Sequence, residues 1–180
     1  MIRPTYVESG ACRVRERTIV KTQRIGIGYD LHRLVPDRPL ILGSVRIQSE
    51  RGLLGHSDAD VVLHALCDAL LGAVGGPDIG ELFPDNDPTW KDADSRRFIA
   101  AARERVGVAG YQVANVDIII HAQQPRLGPH KAHIREALAG LLDLGAECVG
   151  VKATTNEGLD AIGRGEALAC WAAVLVVPVD

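Results

Sequence analysis

Arg24-Ile25-Gly26-Ile27-Gly28-Tyr29-Asp30-Leu31-His32 is the stretch that sets the fold class of this chain. Ile25–Tyr29 is predicted as a β-strand with Asp30 to Arg33 at its end. Residues two apart on a strand share a face, so Asp30 and His32 point to one side. The next patterned segment changes period. Val62, Leu66, Ala69, Leu70 and Ala73 recur at helical spacing. Ser57, followed three residues on by Asp60, is the expected N-cap of that helix in an approximate capping box. Asp58 and Asp60 in its first turn suit the helix dipole. Gly72, Gly75, Gly76 and Pro77 end it.

Beyond this pair the chain continues to alternate. Leu40–Gly43 and Val45–Ile47 resemble a short hairpin after the turn material Pro36-Asp37-Arg38-Pro39. Ser95 caps a helix to about Val106, Tyr111–His121 is a strand, and Pro129 opens a helix to about Leu144. Cys148–Thr154 is a further strand. Glu166–Val177 is an almost wholly apolar strand, which predicts burial on both faces. The expected architecture is α/β: one mixed sheet covered by helices.

Bulk properties narrow the function classes. A chain of 180 residues with 47% apolar and 24% charged residues suits one soluble globular domain, here 24–180. A formal net charge of −3 argues against bulk attraction to nucleic acid or a membrane surface. Cys12, Cys67, Cys148 and Cys170 are scattered without a C-x-x-C pair and read as free thiols of a reducing compartment. Residues 1–23 are rich in arginine, lack an apolar core and are expected to be a disordered extension, not a secretory signal. Glu8, Glu16 and the shortage of serine weigh against a plastid transit peptide, so a cytoplasmic location is expected.

The chemistry concentrates in two places. His56, Asp60, His64 and Asp68 recur every four residues, each step turning by about 40° on a helix. Asp30, His32 and His64 are the expected ligands of one zinc ion, three protein groups leaving a fourth position open. His56 is then free to donate to an anion near the helix N-terminus, and Asp60 or Asp68 is expected to orient a ligand imidazole. Taken alone, the acidic loop Asp78–Pro88 reads as a surface turn. Lys152-Ala153-Thr154-Thr155-Asn156-Glu157-Gly158 leaves a strand with hydroxyls and N–H groups suited to phosphate oxygens, and Glu157 suits a harder cation. Arg164 between two glycines suits an anion or a plain hairpin. Gly26-x-Gly28 lacks the third glycine of a dinucleotide fingerprint.

Four segments, Ile25–His32, Gly55–His64, Asp78–Asp87 and Val151–Glu157, together resemble the 2-C-methyl-D-erythritol 2,4-cyclodiphosphate synthase family of the non-mevalonate isoprenoid pathway. The resemblance runs from about Arg24 to Val177. It implies a sandwich related to the ferredoxin-like arrangement, assembled as a homotrimer with active sites between subunits. The implied reaction closes 4-diphosphocytidyl-2-C-methyl-D-erythritol 2-phosphate into the cyclic diphosphate with release of CMP. By position, Asp30, His32 and His64 match the zinc ligands, His56 and Thr155 the transition-state stabilisers, and Glu157 the ligand of a second ion, Mg²⁺ or Mn²⁺. Ser57, Asp78, Ile79, Gly80, Phe83, Pro84, Asp85, Asn86 and Asp87 match the methylerythritol phosphate pocket. Ala122, Gln123, Gln124, Pro125, Arg126, Leu127 and Gly128 match the cytidine loop, beside Thr154 and Asn156, with Arg164 nearby. Asp160-Ala161-Ile162 stand where the family often has Gly-Phe-Thr, and Gln124 and Gly128 also depart from it. The competing readings are a zinc hydrolase of a phosphorylated small molecule and a non-catalytic zinc or nucleotide binder.

Overall fold

Two glycines decide how the first strand meets the first helix. The computed structural model describes residues 21–179; the expectation for the N-terminal extension lies, through residue 20, outside them, as does Cys12. Strand β1 (Arg24–Pro36) turns Gly26, Gly28, Asp30 and His32 toward helix α1 (Val61–Ala73) and Ile25, Ile27, Tyr29 and Leu31 the other way. A Cβ at Gly26 would lie 1.9 Å from the Ala69 carbonyl oxygen, and one at Gly28 1.9 Å from that of Ala65. Only glycine permits that approach. Ala65, Ala69 and Ala73 supply the matching small face of α1, so helix and strand are in backbone contact immediately beside Asp30 and His64.

The main sheet also contains β4 (Arg51–Leu53), β5 (Tyr111–His121), β6 (Val149–Thr154) and β7 (Ala167–Pro178), in the order β4-β1-β7-β5-β6. Only β5 and β6 pair in parallel, joined through helix α4 (Lys131–Leu142); β1, β4 and β7 pair antiparallel. A separate hairpin joins β2 (Leu40–Leu42) to β3 (Val45–Ile47). Helices α1, α3 (Arg96–Val108) and α4 cover one sheet face, with Leu66, Leu70, Ile99, Ile118, Ile120 and Leu138 fully buried between the layers. Two short helices, α2 (Ile79–Leu82) and α5 (Asp160–Gly163), lie in segments that carry no helical period of their own.

Several sequence expectations shift. Strand β1 does not end after Arg33: Leu34–Pro36 continue it by pairing with β4, so Asp30 and His32 lie within the strand. Helix α1 is capped by Asp60, not Ser57. The Asp60 carboxylate accepts the N–H groups of Val62 (3.1 Å), Leu63 (3.2 Å), Gly43 (2.9 Å) and Ser44 (2.6 Å). One buried group thereby caps the helix and fastens the hairpin to it. Burial pushes the Asp60 carboxyl up to about 6, against the pull of those N–H groups and with a further push from Asp58. Ser95 flanks α3 without a side-chain cap bond, because its hydroxyl is engaged elsewhere. A 3₁₀ turn, Gly128–His130, precedes α4 where Pro129 was expected to open it.

Strand β7 alternates instead of being buried on both faces. Leu168, Cys170, Ala172, Val174 and Val176 face the helices, while Trp171 and Ala173 are exposed. At one end α5 covers the outer face through Ile162 against Ala167 and Ala169. Elsewhere that face carries Ile25 at 73% exposure and Ile27 at 63%, with Tyr29 and Trp171 in ring contact at 4.6 Å.

Candidate metal centre and active site

Strand β1 contributes Asp30 and His32, and the first turn of α1 contributes His64. Asp30 Oδ2 lies 2.9 Å from His32 Nε2 and 3.0 Å from His64 Nδ1, and the two nitrogens are 3.0 Å apart. The opposite ring nitrogens are both engaged. His32 Nδ1 donates to the Leu54 carbonyl oxygen at 2.9 Å. His64 Nε2 donates to the hydroxyls of Ser57 (3.1 Å) and Ser95 (3.0 Å).

With those protons placed outward, the three inner atoms are all lone-pair donors in a near-equilateral triangle. Such a cluster is repulsive unless a cation or an added proton sits among them. A tetrahedral ion with bonds of about 2.0–2.1 Å requires ligand edges of about 3.3 Å, close to the spacing here. Asp30, His32 and His64 therefore fit a divalent metal, as the sequence spacing led one to expect. The electrostatics agree. Burial would raise the Asp30 carboxyl, but hydrogen bonds and charge from His32 and His64 hold it well below the carboxylate range. Burial would lower His32, but Asp30 outweighs it and raises the imidazole above 6.5. The expected orienting role of Asp60 or Asp68 is corrected: Asp60 is the helix cap, and Asp68 accepts the Ile79 N–H at 2.8 Å. Leu54, Ser57 and Ser95 hold the rings instead.

This triangle borders a hollow of about 300 Å³. His32, His56, Ser57 and His64 form its polar side, with Gly55 beside them. Phe83, Trp90 and Phe98 also line it, with Phe83 stacked on Phe98 at 4.5 Å and Phe98 beside His64 at 5.9 Å. Both phenylalanines of the chain are there. Ile79, Gly80 and Asp85 complete the lining, so the acidic loop is part of the site's wall and not a free surface turn. Its other carboxylates shape it: Asp78 caps α2 in a capping box with Glu81, and Asp87 accepts the Thr89 N–H at 2.9 Å. Pro84 and Asn86 lie on the same loop outside the lining residues. Trp90, Phe98, Leu54 and Ser95 were not anticipated; the scarcity of aromatic residues was the one available signal for the first two.

The remaining sequence-predicted residues lie outside this hollow, after β5, at the end of β6 and before β7. Ala122 N–H bonds the Thr154 carbonyl at 2.9 Å, tying the 122–128 loop to the end of β6. Thr155 Oγ1 donates to Glu157 at 2.9 Å, and Asn156 bridges His121 and Asp160. Gln123, Gln124, Pro125 and Arg164 border a second hollow of about 520 Å³, with Arg164 paired to Glu166. Leu31, Ala169, His121 and Thr154 follow one another across the strands. Thr154 is therefore three interstrand spacings, about 14 Å, from the metal ligands' strand. By the strand alternation it also faces the side of the sheet opposite to Asp30 and His32.

Fold and site define an α/β protein in which a triad that fits a divalent metal adjoins a cavity of about 300 Å³. The profile of the YgbB family matches residues 23–177, and the chain belongs to that family. A 2-C-methyl-D-erythritol 2,4-cyclodiphosphate synthase of Synechococcus sp. (strain JA-2-3B'a(2-13)) is 54% identical over 154 residues, covering 86% of this chain and 98% of its own. Among solved structures, the bifunctional IspDF of Campylobacter jejuni superimposes with a TM-score of 0.86 at 40% identity, over 89% of this chain and 44% of that one. The CDP complex of IspF from Plasmodium falciparum superimposes with a TM-score of 0.79 at 34% identity, over 89% and 99%. Among the described residues no helix is long and apolar enough to cross a membrane.

Proposed function

We propose that this chain is a phosphorus–oxygen lyase that converts 4-diphosphocytidyl-2-C-methyl-D-erythritol 2-phosphate to 2-C-methyl-D-erythritol 2,4-cyclodiphosphate and CMP. The observation that carries it is the Asp30-His32-His64 triangle opening into a hollow beside His56, in a chain that matches synthases along nearly their whole length. The 2-phosphate attacks the β-phosphorus and CMP leaves, so atoms balance without water or an added oxidant. Such a transfer needs positioning and neutralisation more than covalent help. Asp30, His32 and His64 would hold a Zn²⁺, which would supply positive charge and Lewis-acid polarisation to a phosphate.

The chain's own groups do the rest. The His56 imidazole donates to an oxygen on the phosphorus being transferred. The Ser57 hydroxyl accepts from His64 and from the Ala59 N–H, leaving its own proton for a phosphate oxygen. Asp78 to Gly80 and Phe83 to Asp87 enclose the methylerythritol end, with Phe83 excluding water. Glu157 would hold Mg²⁺ or Mn²⁺, and Thr155, its proton released from Glu157, donates to the β-phosphate. The loop Ala122–Gly128 with Thr154 receives cytidine, Asn156 braces that turn, and Arg164 adds charge.

Thr154 faces the side of the sheet opposite to Asp30 and His32, which supports a complete site formed between copies. A homotrimer meets that need and covers the apolar outer face of β1 and β7. The extension through residue 23 lies outside this catalytic unit, and the enzyme works in the cytoplasm. The test incubates purified protein with the cytidine substrate, with and without chelator, and separates products by ³¹P NMR. CMP with a cyclic diphosphate, lost on chelation, is expected. A linear phosphate product would instead make the chain a zinc hydrolase.

A further inference from the structure

We propose that Asp58 and Ser95 are positioning residues that commit His64 to binding metal through Nδ1. This rests on the reading of Asp30, His32 and His64 as a metal centre and adds an element outside the ligand set.

The hydrogen-bond directions are forced by proton counting. Asp58 is an acceptor only, and both its oxygens are turned on Ser95. Oδ1 takes the Ser95 hydroxyl proton, and Oδ2 takes the Ser95 N–H at 3.0 Å. The Asp60 N–H also reaches Asp58 Oδ1, at 3.3 Å. A serine hydroxyl has one proton. Because that proton is committed to Asp58, Ser95 Oγ presents only lone pairs to His64 Nε2, 3.0 Å away. Nε2 must then carry the imidazole proton, and Nδ1 is left with the lone pair that faces Asp30 and His32.

Ser57 cannot impose this by itself. Its hydroxyl also lies 3.1 Å from His64 Nε2, but among the described residues its proton has no other acceptor and can rotate to donate. With Ser57 alone, either ring nitrogen can hold the proton. Ser95 is fully buried, so water does not compete for the same bond. The carrier segments are tied together as well, by Asp58 N–H to the Ala93 carbonyl at 3.1 Å and Asp92 N–H to the His56 carbonyl at 2.8 Å. The start of α3 thus reaches the metal through a hydroxyl relay, and the negative charge of Asp58 at its far end increases the donor strength of Nδ1.

The test measures Zn²⁺ affinity by competition with a chromogenic chelator, together with the melting temperature of metal-free protein. Ser95→Ala keeps the packing and removes the acceptor; a loss of about 10–100-fold in Zn²⁺ affinity is expected with little change in metal-free melting. Ser95→Thr keeps the hydroxyl while adding a methyl to a buried site, so affinity is expected to recover toward wild type even where melting falls. Asp58→Ala removes the acceptor of the Ser95 proton, frees Ser95 to donate and is expected to weaken Zn²⁺ in the same direction as Ser95→Ala. The proposal is overturned if Ser95→Ala or Asp58→Ala binds Zn²⁺ as tightly as wild type, or if affinity follows melting temperature across the three variants. Should wild type itself bind no Zn²⁺, the metal centre fails, and this relay with it.

Discussion

The two ends of the sheet use opposite strategies. At the β1–α1 end, Asp30, His32 and His64 are part-buried, and their outward nitrogens are fixed by Leu54, Ser57 and Ser95. At the β6 end, Thr154, Thr155 and Glu157 are exposed and mainly bond one another. A preorganised cation site needs rigid support, which the backbone contact at Gly26 and Gly28 provides. The turn after β6, by contrast, is open within one chain and is held mainly by its own side chains. The contrast is between a finished, braced half and an unfinished, open turn.

The largest effect is expected from breaking the finished half. His64→Ala should lose bound metal and reduce turnover by at least about 10²–10³-fold, checked by elemental analysis and CMP release. Full activity without metal would remove the basis of the contrast. Next comes the surface that would join the halves. Ile27→Asp places a charge on the apolar outer face, where each buried isoleucine contributes about 1.5–3 kcal/mol. The expected outcome by light scattering is dissociation to monomers that retain their fold but not activity. Unchanged mass would place the interface elsewhere.

A smaller effect tests the support itself. Gly28→Ala must force α1 away from β1, since the added Cβ meets the Ala65 carbonyl at 1.9 Å. A loss of about 1–3 kcal/mol in chemical denaturation is expected, with weaker metal binding. The mildest test is pH. Because His32 is raised above 6.5 in the metal-free fold, its pairing with Asp30 stabilises below that value and fades as pH climbs through the folded value. Metal binding requires unprotonated imidazoles and strengthens over the same range. The gain in melting temperature from saturating Zn²⁺ should therefore grow from about pH 5.5 to about pH 8; a flat gain would contradict the assignment of His32.

Local signals carried much of this into the sequence. The bounds of β5 are those its alternation predicts, and Asp30, His32 and His64 were legible from spacing because each lies on a regular element. Tertiary contacts hid the rest. Asp60 displaces Ser57 as cap because a hairpin far along the chain presents two N–H groups to it. Three-residue β4 becomes a strand only by pairing with Leu34–Pro36. Ser95 looks like an ordinary helix cap until His64 and Asp58 are brought beside it. The apolar run of β7 was read as buried twice over, whereas one chain covers only one of its faces.

The most direct test of the divided site is co-expression of His64→Ala chains with Glu157→Ala chains. Either variant alone should be inactive. In mixed trimers one site in three pairs an intact metal half with an intact Glu157 half, so about one quarter of wild-type CMP release is expected from random assembly. No recovery in verified mixed trimers would mean that both halves of a working site come from the same chain.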